Sequence, residues 1–294
     1  QEFETGNKEK ALEKLLELLD ALEEADTSRR AAQIDKDGNV TLSSEIPAGK
    51  PAAEKSAEDG TGESQPLYMS LNHVMEYYIF AYYFQPATEV RCTDIPYGEY
   101  YRTYGQLALS MQKYNGAKKA YERAIAWNPV DLDAYLGLAE VYKYQNQREK
   151  YLTVTKQAYR YCCTRATMAR YYRNMAFYYL SGYEPETARA CYQYSNVYYH
   201  TENADSELKY ISEAIQQETP QTDIRAIQKL FDEKQIEPGP DSQTIGIVYK
   251  VGEILLKDGD YKLAKDCYSI VYDITQDASA EKLLNELEAA IAGN

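Results

Sequence analysis

Histidine is scarce: this 294-residue chain has only His73 and His200. General acid–base chemistry would therefore fall mostly to carboxylates. Cysteine is sparse and unpatterned. Five are present, at Cys92, Cys162, Cys163, Cys191 and Cys267, an odd number without a disulfide-scaffold spacing. No C-x2-C pair stands near a second pair or a histidine, so no zinc-binding spacing exists. The adjacent Cys162 and Cys163 are poorly placed for a disulfide, because neighbouring residues rarely reach its geometry. Reduced, inert thiols fit a cytoplasmic protein. Positive charge is also short, with 32 Lys and Arg against 46 Asp and Glu, a net −14. That balance argues against nucleic acid and against an anionic membrane surface. The longest apolar-aromatic run, residues 77–84, is too short to span a bilayer. No signal peptide is visible in a chain that begins at Gln1.

Chemical motifs are missing as well. There is no G-x-G-x-x-G, no G-x-x-x-x-G-K-[ST] and no G-x-S-x-G. His73 lies in an apolar stretch and reads as a packed residue, whereas His200 reads as the exposed end of a helix. The DKDGN segment lacks the rest of a calcium loop and reads as a turn. Asn39-Val40-Thr41 matches a glycosylation sequon that chance supplies as readily as design. No residue is assigned to catalysis, to a cofactor or to a metal.

Tyrosine, small residues and a period are what the chain does have. From Gly105, an aromatic stands four residues before (Tyr101), and Ala117, Tyr121, Ala124 and Pro129 follow. The pattern recurs around Ala139 (Tyr135, Leu138, Tyr142, later Ala158) and around Ala176 (Tyr172, Met175, Tyr179, then Ala188 and Tyr192). It returns around Gly252 with Val248, Val251, Leu255, Gly259, Tyr261, Ala264 and Tyr268. Small residues let two antiparallel helices approach, and aromatics one turn away fill the space beside the contact. Of the 31 tyrosines, ten fall at packing positions: Tyr101, Tyr114, Tyr121, Tyr135, Tyr142, Tyr172, Tyr179, Tyr192, Tyr261 and Tyr268. Tyr151 and Thr155 break the pattern in the second copy, so its second helix should pack differently.

YRTYGQLA with AKKAYERAIAWNP, YLGLAEVY, YRNMAFYY with ARACY, and VYKVGEIL with DGDYKLAKDCY carry this period over residues 97–278. In these residues the chain resembles the tetratricopeptide repeat family. The resemblance implies an all-α, α-α superhelix with clear repeats near 98–131, 132–165, 169–202 and 245–278. A degenerate unit is expected at 203–236 and a capping helix at 279–292, since open solenoid ends need a cap.

The N-terminal part reads separately. Residues 1–65 hold 16 acidic and 8 basic side chains, a balance of −8, against −6 for the rest. A helix is expected over 7–24, an acidic flexible linker or loop over 26–65 with a short hairpin around Asp37-Gly38, and an apolar helix over 67–85. The two helices are expected to pair as an irregular first repeat.

In the resembled family the first helix of each repeat lines a peptide-binding groove. Carried over, the groove residues are Arg102 and Gln106, then Gly137, Glu140 and Lys143, then Arg170, Arg173, Asn174 and Phe177. Arg102, Gln106, Gly137, Arg170 and Asn174 fall at the places of a carboxylate clamp, although Gly137 and Asn174 depart from it chemically. The implied function is a non-catalytic scaffold or adaptor, with a protein or peptide partner: an acidic segment or a C-terminal carboxylate held by the basic residues. The acidic stretch 26–65 is a further candidate occupant of that patch. The alternative is a peptide-sensing regulator. An enzyme would declare itself by a deep pocket with perturbed carboxylates such as Glu140.

Overall fold

The computed structural model describes residues 8–26, 29–37, 39–43 and 66–292. Its contacts divide the chain into two compact units, Gln1–Gln145 and Asn146–Asn294. Thirteen α-helices and five very short strands occur among the described residues.

The first unit opens with α1 (Lys8–Ala25), β1 (Arg29–Arg30), β2 (Ala32–Ile34), β3 (Val40–Leu42), β4 (Leu67–Met69), α2 (Val74–Phe84) and β5 (Val90–Cys92). The helical hairpin α3 (Tyr97–Ser110) and α4 (Tyr114–Trp127) follows, and α5 (Leu132–Tyr144) stacks on both. One ring holds these three together. Tyr121, on α4, is 2% exposed. A Cβ built on Gly105 of α3 would lie 3.0 Å from its ring, and one built on Gly137 of α5 would lie 2.3 Å from it. The two glycines thus make the slot that the aromatic fills. Gly137, expected on the groove, is instead a buried packing position.

The N-terminal expectations need correction. β2 and β3 do form the hairpin; in its turn the Asp35 carboxylate accepts hydrogen bonds from the backbone N–H groups of Asp37 (2.8 Å) and Asn39 (2.9 Å). Gly38 and residues 44–65, with most of the expected linker, lie outside the described residues. The expected helix 67–85 is a strand followed by a helix. β4 pairs in parallel with β1 and β5, and α2 is the crossover between β4 and β5. A three-residue apolar strand has no periodicity to set it apart from the helix after it. α1 packs on α3 rather than chiefly on α2. Polar anchors explain this choice. Glu23 accepts from the Tyr101 hydroxyl and from Trp127 Nε1 (3.1 Å), Asp26 accepts from the Tyr97 hydroxyl (2.8 Å), and Arg123 pairs with Asp20. His73 is the exposed N-cap residue of α2, not a core residue.

The second unit contains α6 (Arg148–Tyr159), α7 (Arg165–Ser181), α8 (Pro185–Tyr198), α9 (Glu202–Ile215), α10 (Ile224–Lys234), α11 (Ser242–Lys257), α12 (Tyr261–Thr275) and α13 (Ala278–Ala292). α7 and α8 form a close hairpin on which α6 leans; α11 and α12 form another, closed by α13 through Leu283, Leu284 and Leu287. In this second hairpin Gly252 faces Tyr268 as Gly105 faces Tyr121, with a built Cβ 3.1 Å from the ring. Between the hairpins, α9 and α10 each pack on α8 more than on one another. Phe231 of α10 stacks on Tyr172 (5.6 Å) and meets Tyr194 edge-on (5.0 Å). The α11–α12 hairpin is tied to the start of α7. Thr244 Oγ1 donates to the Arg160 carbonyl (2.6 Å), and the Arg165 N–H donates to Asp273 (2.7 Å).

The helix ends obey local rules. Asp131, Thr164, Thr201, Asp223, Asp241 and Asp260 cap helices by accepting a hydrogen bond from a backbone N–H two or three residues on. Left-handed residues occur at Gln112, Asn146, Tyr183 and Gly259, each seven positions after the small residue of its copy. The repeat phase is therefore written into the turns as well as the packing. Of the ten packing tyrosines, eight are buried. Tyr114 is half-buried and stacked on Tyr144 (5.5 Å), and Tyr261, in the first turn of α12, is 41% exposed.

Candidate protein-binding face

On α7 the residues Arg170, Arg173, Asn174 and Phe177 stand at i, i+3, i+4 and i+7, one face of a helix. Helix α6 supplies the wall beside them. The Tyr151 hydroxyl donates to the Asn174 carbonyl (3.1 Å), and the Tyr151 ring meets Phe177 edge-on at 5.4 Å. Thr155 lies one turn further along the same face of α6 and is 1% exposed.

The polar groups of this face are unusually unanswered. Asn174 is 7% exposed, and its Nδ2 has no hydrogen-bond partner. The Arg173 Nη1 is buried and without a partner, and so is the Thr155 hydroxyl. Burial, together with Arg170 beside it, pushes the Arg173 guanidinium below its ordinary pKa. Buried polar groups are normally paired, and a desolvated cation without a counter-ion is costly. Arg173 Nη1 and Asn174 Nδ2 can only donate, the Thr155 hydroxyl can donate or accept, and Arg170 adds a second positive charge beside Arg173. The chemistry complementary to such a set is an anionic acceptor.

The candidates of the first unit are differently placed. Arg102 is engaged with Asp131 at 2.5 Å, their side chains 17% and 2% exposed. It braces α3 to the start of α5. Asp131 belongs to a buried polar cluster. Nearby, Glu76 accepts from the Asn128 side chain (2.8 Å) and from the Asn72 backbone (2.7 Å). Burial pushes Asp131 up to about 6, with Arg102 opposing and Glu76 reinforcing the rise. Gln106 is exposed, and Glu140 pairs with Lys143 at 4.0 Å. So among the residues expected to form one groove, Arg170, Arg173, Asn174 and Phe177 share a face. Arg102 is committed to an ion pair within its own unit, and Gly137 is committed to Tyr121. The pattern break at Tyr151 and Thr155 was the sequence signal for the wall of this face.

Burial raises the thiols of Cys162 and Cys191 well above the ordinary range and that of Cys267 up to about 11. His200 pairs with Asp205 at 2.8 Å on the surface. Among the described residues no group of three or more His, Cys, Asp or Glu is arranged to hold a metal ion, and no helix is long and apolar enough to cross a membrane.

No family model matches the chain, and no curated protein matches it. Solved structures do. The anaphase-promoting complex hetero-tetramer Cut9–Hcn1 is similar at 14% identity and TM-score 0.38 over 67% of this chain, which spans 38% of that one. YrrB, a tetratricopeptide protein with an unusual peptide-binding site, is similar at 14% identity and TM-score 0.34, covering 64% of this chain and 91% of that one. Pseudomonas aeruginosa PilF is similar at 15% identity and TM-score 0.37, covering 67% and 85%. The helical hairpins, two of them closed by a tyrosine ring against a glycine, make an all-α architecture among the described residues.

Proposed function

We propose that this chain is a non-catalytic protein-interaction scaffold that holds an acidic protein segment on the α7 face. The observation that carries this reading is the pair of buried, unanswered donors, Arg173 Nη1 and Asn174 Nδ2, beside Arg170. A side-chain or terminal carboxylate satisfies both and supplies the missing counter-charge. Phe177 and Tyr151 offer an apolar shelf for the residue next to that carboxylate, at low entropic cost. Nothing in the reading calls for a nucleophile or a general base.

Fluorescence anisotropy tests it, with a labelled poly-glutamate peptide and a poly-glutamine peptide of the same length. The full chain is expected to bind the first, in a salt-sensitive manner, and not the second. Arg173→Gln is expected to weaken binding roughly tenfold to a hundredfold, the worth of a charged hydrogen bond. Equal binding of both peptides, or undiminished binding by a folded Arg173→Gln variant, overturns the reading.

A further inference from the structure

We propose that β5 is the contact of a two-fold dimer of this chain, formed by antiparallel pairing of β5 with its copy. Among the described residues the sheet order is β1-β4-β5, so β5 is an edge. The ladder says which groups face outwards. Leu67 donates its N–H to the Glu89 carbonyl (2.9 Å), and Thr93 donates to the Met69 carbonyl (2.8 Å). Residues 89, 91 and 93 therefore turn their backbone groups to β4. Val90 and Cys92 turn theirs away, because successive residues alternate. An exposed edge of unpaired N–H and C=O groups is a template for another strand.

The side chains select the occupant. Charges on an edge normally block pairing. Here the exposed charges are Glu89 and Arg91, two residues apart and bonded to one another at 2.8 Å. A two-fold axis at Val90 sets Val90 opposite its own copy and exchanges both of its backbone hydrogen bonds. The same register sets each Glu89 opposite the copy's Arg91. A shift of the axis to Arg91 would oppose like charges, and a shift to Cys92 would leave Glu89 and Arg91 without opposite charges across the pair, so charge pairing favours the register centred on Val90. Cys92 is exposed on this edge and is available as a chemical handle.

Sedimentation equilibrium of the full chain tests the contact, with circular dichroism confirming that each variant folds. A concentration-dependent dimer is expected. Glu89→Arg and Arg91→Glu are each expected to weaken it about tenfold, and the double exchange to restore it. Val90→Cys in a Cys92→Ser background is expected to give a disulfide-linked dimer under mild oxidation, because the axis sets residue 90 opposite its own copy. The unaltered chain should not crosslink through Cys92 alone, because the two thiols then lie four residues out of step. A monomer at all concentrations overturns the proposal. So does a dimer indifferent to both charge reversals, or one in which Val90→Cys forms no link.

Discussion

Replacing Arg102 with Met removes the guanidinium that answers a buried carboxylate. The Asp131 side chain is 2% exposed, and Arg102 Nη1 lies 2.5 Å from it. What remains around Asp131 is the Ala134 N–H at 3.2 Å, a hydrogen bond from Asn72, and the unfavourable proximity of Glu76. Breaking a buried pair from one side costs about 3–5 kcal/mol. That is a large part of a typical stability of roughly 5–15 kcal/mol. The loss has a pH signature whose sign follows from Asp131. Its folded pKa is raised from 3.8 to about 6. Its contribution to stability is therefore fully present below 3.8 and is lost as pH rises through about 6. Without Arg102 the folded pKa rises further, because the opposing charge is gone. The cost of the substitution should thus be small near pH 4, where Asp131 is protonated in either protein, and full at pH 8. Urea denaturation at both pH values measures it. Adding Asp131→Asn should recover most of the loss, since Asn keeps the helix cap and carries no charge. A cost below about 1 kcal/mol at pH 8, or an equal cost at both pH values, refutes the reasoning.

Three further outcomes follow from packing and turns. Gly137→Ala drives a methyl into the Tyr121 ring and should cost about 1–3 kcal/mol, measured by chemical denaturation; a neutral result means that α5 shifts freely. Tyr183→Gly should raise stability by up to about 1 kcal/mol, because Tyr183 is 94% exposed and holds a left-handed φ of 62°. Cys162 and Cys191 should resist a thiol reagent in the native protein and react once denaturant is added; rapid native labelling of either would contradict their burial.

Much of the helical part was legible because it rests on local and periodic physics. Gly105 and Gly252 mark the aromatic slots, and the small residue of each copy stands seven positions before a left-handed turn. Gly137 shows the limit of transfer by position: a place that serves as a groove residue in a resembled family is here spent on accommodating Tyr121. The hairpin strands β2 and β3 were legible from their turn, but those of the three-stranded sheet were not. LYM and VRC are too short to alternate, and their partners are distant in sequence. α1 was legible as a helix, but its docking on α3 depends on Glu23 meeting Tyr101 and Trp127, which no spacing announces. For the α7 face, sequence supplied the residues and Thr155 signalled the departure. Whether Arg173 and Asn174 find partners depends on what three-dimensional packing leaves out, and that is not a sequence property.

Isotope-edited NMR of the arginine guanidinium and asparagine side-chain amide groups, during titration with poly-glutamate peptide, tests the central claim most directly. The Arg173 and Asn174 signals should shift together and saturate, while Arg102, held by Asp131, stays still. Unmoved Arg173 and Asn174 signals, or shifts that poly-glutamine reproduces, would contradict an acidic segment on this face.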